Sequence, residues 1–274
     1  MYFYIHGGGF GFGAGSDPIW GKSVPCQTCL ARLGPFTTDF GCLVDPTRIV
    51  LRSLKLRKPF IAVLINYRLN IFGFAASSIL LDSQEASALK GCNFGIHDQR
   101  MALDWVTQNI AGFGGDPANI TLGGQSAGGC SVHAHLLDAI SSPELPLFKR
   151  AIIQSGTLTS ASIGPTPIEE CDKRWDTLCA HLKLRDLPKR EQLESLRTIK
   201  AQDLIKAGEE LGWMVFFLAS DNVTITTLSQ TEWKINFNLH ARSNSSQFGP
   251  VQDPIKILIG DTEAEVSEPF ALMD

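Results

Sequence analysis

Short apolar runs alternate with amphipathic stretches along the chain. Four apolar runs are typical of strands: 60–65, 119–122, 150–154 and 256–259. Four longer stretches have apolar residues at helical spacing: 97–110, 127–139, 168–182 and 189–199. Strands that alternate with helices predict an α/β fold with a mostly parallel central sheet flanked by helices. The continuous apolar run 60–65 favours a strand buried on both faces of that sheet.

Length and composition point to one ordinary globular domain. A chain of 274 residues with 44% apolar and 19% charged residues can bury a full core, so we expect a single domain over 1–274. The net charge of −4 provides no basic surface for nucleic acid or for an anionic membrane. No apolar run approaches the roughly 18 residues of a membrane span. The polar-faced stretch 165–210 is expected either to cover the site or to pack beside the sheet.

The cysteines leave the cellular compartment open. Their odd count of seven means that at least one is free or pairs elsewhere, and the start of the chain lacks a signal-peptide pattern. Cys26-Gln-Thr-Cys29 is spaced like half a zinc site, but only Cys42 follows it closely. Structural zinc needs four ligands at regular spacing, so an irregular loop is favoured and no metal or cofactor is expected.

The strongest chemical motif is Gly124-Gln-Ser126-Ala-Gly128, which follows a predicted strand and opens a predicted helix. This setting is typical of a nucleophile elbow, a sharp turn that exposes a reactive serine. The flanking glycines leave room for the turn. The N–H of Ala127 at the helix start can face developing negative charge. The alternative is an ordinary serine in a glycine-rich turn.

A second glycine motif, His6-Gly7-Gly8-Gly9-Phe10, follows the predicted strand at the start of the chain. Its N–H groups can face an oxyanion, as in the HGGG-type loop of esterases. A dinucleotide-binding glycine pattern is the competing interpretation, but no helix is predicted after it, and a plain glycine loop is another. Together the two motifs supply a nucleophile and its oxyanion donors, which favours acyl transfer.

Several longer segments, with these motifs, resemble the type-B carboxylesterase/cholinesterase family of the α/β-hydrolase superfamily, in a fungal-esterase style. The matching segments include Ile65-Asn-Tyr-Arg-Leu69, 93–106, 113–117, 147–156, Phe248-Gly-Pro-Val251 and 257–260. The resemblance is dense over 59–156 and patchy after 157. It implies a carboxylic ester hydrolase that forms a serine acyl-enzyme on a small-molecule ester, without a cofactor.

The same resemblance implies roles for individual residues. Ser126 would attack the ester carbonyl, and the N–H groups of Gly8, Gly9 and Ala127 would form the oxyanion hole. Glu265, in Gly260-Asp-Thr-Glu-Ala-Glu265, would be the triad acid that orients a histidine. An acidic surface loop is the alternative for this glutamate.

The chain also departs from the family pattern. Gln125 replaces a common Glu, Val266 replaces a common Gly after the acid, and residues 21–44 have no counterpart. The strands and disulfide loop that usually precede the glycine run are not found, so the sequence is expected to be truncated at both ends. No family-like catalytic histidine follows Glu265 before Asp274.

The six histidines offer no convincing substitute for that base: His6, His97, His133, His135, His181 and His240. His133 and His135 lie two residues apart on a predicted helix, so they point about 200° from each other and are expected to be packing or surface residues. Residues 1–274 are therefore expected to hydrolyse esters poorly by themselves. A cholinesterase-like binding module and an incomplete gene product remain alternatives.

Overall fold

The structure, a computed structural model, describes residues 1–15, 46–84, 90–141, 147–159, 164–225 and 255–260. Its strands are β1 (Tyr2–Ile5), β2 (Ala62–Leu64), β3 (Thr121–Gln125), β4 (Arg150–Gln154), β5 (Thr166–Pro167), β6 (Ala219–Ser220) and β7 (Lys256–Gly260). Its α-helices are α1 (Thr47–Lys55), α2 (Asn70–Phe74), α3 (Ser78–Asp82), α4 (Phe94–Asn109), α5 (Ala127–Ser141), α6 (Ile168–His181), α7 (Lys189–Thr198) and α8 (Ala201–Glu210).

Five strands form one parallel sheet in the order β2-β1-β3-β4-β7. Ile5 lies opposite Gly124, and Gln125 lies opposite Gln154. Because all five strands run the same way, the segments that follow β1, β3, β4 and β7 start from the same edge of the sheet. The predicted α/β architecture is confirmed, and both glycine motifs lie at this carboxyl edge.

The core forms between the central strands and the long helices. Phe3, Ile5 and Leu122 are fully buried in β1 and β3. Val132 and Leu136 on α5 belong to the same apolar cluster. Burying these side chains is the main favourable contribution to folding in this region, at roughly 1.5–3 kcal/mol for each large apolar side chain.

Two strand predictions need correction. The run 60–65 forms a strand only over Ala62–Leu64, and its three residues are half-buried rather than buried on both faces. Among the described strands, β2 pairs only with β1, which leaves it at the edge of the sheet. The strand predicted at 119–122 is shifted to Thr121–Gln125, because its pairing with β1 and β4 continues through Gly123 and Gly124.

The helical predictions agree closely with the structure. α6 and α7 end within one residue of the expected bounds, and α8 adds a third helix. They pack around a separate apolar cluster that includes Trp175, Leu178, Leu193 and Leu204. The helices α6, α7 and α8, with the residues that flank and join them (164–211), are called the helical layer below. In the described parts of the chain, no helix is both long and apolar enough to cross a membrane.

Candidate active site

Ser126 occupies a sharp turn between β3 and α5. Its φ of +54° lies in the left-handed region that side chains other than glycine rarely adopt. Its N–H donates to the carbonyl of Gln154 at 2.9 Å, and its carbonyl accepts from the N–H of Cys130 at 2.9 Å. The strain is therefore held in place by backbone bonds to β4 and to α5, as the nucleophile-elbow geometry requires.

The glycines around Ser126 are required by close backbone contacts. A Cβ atom added to Gly128 would overlap the carbonyl oxygen of Ile5, and one added to Gly124 would overlap that of Gly128. The first turn of α5 thus lies directly against the end of β1. The turn that exposes Ser126 can form only where these two positions lack side chains.

The glycine run after β1 turns sharply beside this elbow. Gly8 and Gly9 have φ values of +111° and +56°. The carbonyl of Gly8 accepts hydrogen bonds from the N–H groups of Gly11 at 3.0 Å and Phe12 at 3.1 Å. The carbonyl of Gly9 accepts from the N–H of Phe216 at 2.8 Å. Within the described residues, the N–H groups of Gly8 and Gly9 donate no hydrogen bond of their own.

The glycine run and the elbow are neighbours in space. A Cβ atom added to Gly7 would lie 3.2 Å from Cβ of Ser126 and 2.6 Å from the carbonyl oxygen of Gln125. Ala127 is the first residue of α5 and is 3% exposed. Its N–H is one of the amides that a helix start leaves without an intrahelical acceptor. Backbone N–H groups close to a nucleophilic serine are the kind of donors that stabilise an oxyanion.

His6 and Tyr67 support the start of the glycine run. The hydroxyl of Tyr67 donates to the carbonyl of His6 at 2.8 Å, and the two rings stack with centroids 4.5 Å apart. Nδ1 of His6 contacts the carbonyl of Gly7 at 2.8 Å. These contacts fix the backbone of the run and give His6 a structural role at the site.

A buried polar network connects α4 to the first turns of α5. Nε2 of Gln99 donates to the hydroxyl of Ser131 at 3.1 Å, and that hydroxyl donates to the carbonyl of Ala127 at 3.0 Å. Oε1 of Gln99 contacts Nε2 of His135 at 2.8 Å. The network holds the helix turn that carries Ala127.

Both histidines on α5 are buried, which excludes the surface alternative for them. Burial lowers the pKa of His133 to about 4. Burial, followed by the charges of Arg100 and His97, lowers the pKa of His135 to about 3. Nδ1 of His133 accepts from the N–H of Leu158 at 3.1 Å. Both rings are therefore neutral near pH 7 and act in packing, as the packing interpretation expects.

The remaining described histidines also bond to groups other than Ser126. Nε2 of His181 lies 2.9 Å from a carboxylate oxygen of Glu210, which links α6 to α8 in the helical layer. Nε2 of His97 lies 3.4 Å from the hydroxyl of Thr224. Within the described ranges, no histidine hydrogen-bonds to the hydroxyl of Ser126. His240 lies outside the described residues.

Other predicted positions also fall outside the described residues. These are Glu263, Glu265, Val266, the segment 21–44 and the cysteines Cys26, Cys29 and Cys42. The closest described feature to the glutamates in sequence is β7, which ends at Gly260. The carbonyl of Gly260 accepts from the N–H of Ser155 at 2.9 Å, beside the end of β4. Among the described residues, no three His, Cys, Asp or Glu side chains are grouped to hold a metal ion.

Sequence reasoning missed the role of Gly156. A Cβ atom added there would overlap the carbonyl oxygen of Ser126, so the chain after β4 packs against the backbone of the elbow. The signal was present as a glycine two residues after the strand Arg150–Gln154. Its meaning depends on the pairing of β3 with β4, which the sequence did not specify.

This combination of a parallel sheet, a strained serine turn and a glycine loop defines an α/β-hydrolase fold, and solved structures agree. A PNB esterase structure matches with a TM-score of 0.65 and 29% identity, over 96% of this chain and 43% of that one. The Geobacillus stearothermophilus carboxylesterase EST55 at pH 6.2 matches with a TM-score of 0.66 and 32% identity, over 96% of this chain and 43% of that one.

The carboxylesterase family model matches residues 34–271, and the chain belongs to that family. Lipase 5 of Diutina rugosa is 35% identical over 64% of this chain and 30% of its own length. The para-nitrobenzyl esterase of Bacillus subtilis is 32% identical over 76% of this chain and 33% of its own length. An inactive carboxylesterase-like protein of Byssochlamys spectabilis is 33% identical over 65% of this chain and 29% of its own length. The chain thus spans about a third of these relatives' length.

Proposed function

We propose that this protein hydrolyses small carboxylic esters through an acyl-enzyme on Ser126. The observation that carries the proposal is the strained φ of +54° at Ser126, in a turn beside a glycine loop. Strain of this kind persists only where the surrounding structure enforces it, and it is typical of functional sites. Family membership and the names of the relatives, lipases and esterases, support the same reaction class.

The proposed reaction has two acyl transfers. The hydroxyl oxygen of Ser126 attacks the ester carbonyl carbon, a base takes the serine proton, and the N–H groups of Gly8, Gly9 and Ala127 stabilise the oxyanion. The C–O bond to the alcohol then breaks, and the alcohol leaves with that proton. Water attacks the acyl-enzyme in the same way, releases the acid and returns the proton to Ser126.

The proposed triad acid is Glu265, which would orient and stabilise the protonated base. The support is its position five residues after Gly260, where β7 ends at the same edge of the sheet as β3. The order serine, acid, histidine is the one used by this fold. In that order the base is a histidine that comes after the acid, and residues 266–274 contain none.

The test is covalent labelling with a fluorophosphonate probe, followed by peptide mass spectrometry. We expect the label on Ser126 and its loss in Ser126→Ala. In a fully active form of the protein, Glu265→Gln should slow ester turnover by orders of magnitude, because the acid orients and stabilises the base, whereas Glu263→Gln should have a small effect. A label on another residue, with Ser126 unmodified in active protein, would contradict the assignment of the nucleophile. The reverse pattern for the two glutamates would contradict the assignment of the acid.

A second candidate is a non-catalytic binding protein of the same fold. It is favoured by one observation: the described histidines bond to groups other than Ser126, so the described residues provide no base. Residues 1–274 are then expected to turn over short-chain aryl esters poorly. Turnover at ordinary esterase rates that is lost in His181→Gln or His240→Gln would contradict this expectation, because it would identify a relocated base.

A further inference from the structure

A small, open apolar cavity with an interior volume of about 40 Å³ lies between α2, α6 and the segment 213–217. Its walls are mainly aromatic and aliphatic side chains, including Phe74, Trp175 and Leu178. Two polar side chains line it, Thr166 and Arg174. An apolar cavity with a few convergent polar groups is the usual form of a small-molecule site.

Arg174 is the charged group in this wall. Its guanidinium lies 5.1 Å from the ring centroid of Trp213, 5.9 Å from that of Phe216 and 5.5 Å from that of Phe217. Among the described residues it forms no ion pair. The neighbouring Glu170 bonds instead to Lys173 at 2.7 Å.

Half-burial among these rings lowers the pKa of Arg174, because the apolar surroundings disfavour its charge. The aromatic faces compensate for part of this cost by cation–π attraction. A carboxylate that reaches the guanidinium would compensate further through paired charge-assisted hydrogen bonds. The chemistry of the wall therefore fits an anion with an apolar body.

Two side chains that line the cavity belong to residues that also contact the glycine loop. Phe216 lines the cavity, and its N–H donates to the carbonyl of Gly9 at 2.8 Å. Phe74 lines it from the other side and packs on Phe10 with ring centroids 4.5 Å apart. A ligand in the cavity would contact both side chains that border residues 9 and 10.

We propose that this cavity binds a small amphipathic carboxylate, with the carboxylate on the guanidinium of Arg174 and the apolar chain against Trp213 and Phe216. Acids of this class are the products of ester hydrolysis. The proposal concerns binding and requires no catalytic step at Ser126.

The test is an equilibrium titration of the 274-residue chain with hexanoate and with hexan-1-ol, read by calorimetry and by tryptophan fluorescence. Hexanoate should bind at least about tenfold more tightly than the alcohol, the range that a charge-assisted pair provides. Arg174→Gln should weaken hexanoate binding at least about tenfold and change binding of the alcohol by less than about twofold. Arg174→Lys should give an intermediate affinity, because it keeps the charge and loses the planar fork.

Two further variants serve as controls. Arg197→Gln removes an exposed arginine that pairs with Glu194 on α7, so it should leave binding unchanged. Ala75→Leu fills the cavity with Arg174 intact and should weaken both ligands, which keeps the proposal testable if Arg174→Gln does not fold. Equal affinity for acid and alcohol, no binding of hexanoate, or unchanged binding in either Arg174→Gln or Ala75→Leu would overturn the proposal. Because the experiment measures binding, its outcome tests the cavity proposal independently of ester hydrolysis at Ser126.

Discussion

The elbow region and the helical layer of this protein are held together in different ways. In the elbow region, which comprises β1, β3 and the first turn of α5, backbone lies directly on backbone at Gly124 and Gly128. In the helical layer, α6, α7 and α8 meet through side chains such as Leu178 and Leu193. Gly208 on α8 has open space where a Cβ atom would be added.

This difference has consequences for substitution. A backbone-to-backbone contact cannot relax, because a carbonyl oxygen has no alternative rotamer. A side-chain contact can repack, at a cost that depends on how well the site collapses. The elbow region should therefore lose both structure and the chemistry at Ser126 when it is changed, whereas the helical layer should lose stability and keep the chemistry at Ser126.

The largest expected effect is that of Ser126→Ala on covalent labelling. Removal of the hydroxyl should abolish labelling by a fluorophosphonate probe, while the melting temperature stays close to that of the parent chain. The matched control in the helical layer is Ser195→Ala, which should label at the parent rate. Persistent labelling of the Ser126→Ala protein would show that the elbow region does not hold the nucleophile.

The second prediction compares Gly128→Ala with Gly208→Ala. The new methyl group of Gly128→Ala would overlap the carbonyl oxygen of Ile5. The free energy of unfolding should fall by about 3 kcal/mol or more, and labelling should be lost. Gly208→Ala meets no atom within 4 Å and lies inside a helix, so it should be neutral or stabilise by up to about 1 kcal/mol. An equal change in the free energy of unfolding of the two variants, measured in urea, would contradict the difference between the elbow region and the helical layer.

The third prediction tests the helical layer directly. Leu178 is 3% exposed in the apolar cluster between α6 and its neighbours. Leu178→Ala should lower the free energy of unfolding by about 2–4 kcal/mol through lost burial and a cavity. The folded fraction should still be labelled at Ser126 at the parent rate. A fall in that rate with folding intact would mean that the layer positions the nucleophile.

The last prediction is a pH dependence of stability from the buried histidines. His133 and His135 have pKa values of about 4 and about 3 when folded, against an ordinary value of 6.5. The unfolded chain therefore binds more protons between pH 6.5 and about 4, so stability falls as the pH falls through this window. Each histidine should contribute about 1.4 kcal/mol per pH unit. His135→Gln, measured by urea unfolding at several pH values, should show a smaller slope; an unchanged slope would exclude the buried-histidine contribution.

Much of the fold followed from local pattern. The strand Arg150–Gln154 and the helices α6 and α7 were predicted to within a residue, because their period and their flanking residues agree. β2 was predicted as fully buried and is half-buried, since a continuous apolar run does not reveal whether its strand is central or at an edge. Burial of His133 and His135 was not decided by spacing, because two residues on a helix can face two different neighbours.

The sequence by itself determined the class of protein and the order of its chemical groups: a glycine loop, a serine elbow and an acidic segment on alternating strands and helices. These are local signals, since each depends on a few neighbouring residues. Only the tertiary structure decided that Gly7 lies beside Ser126, that Gly156 packs against the elbow, and that Arg174 faces an aromatic cavity. Such contacts join residues far apart in the chain, and their positions depend on strand order and helix packing, which local sequence patterns do not specify.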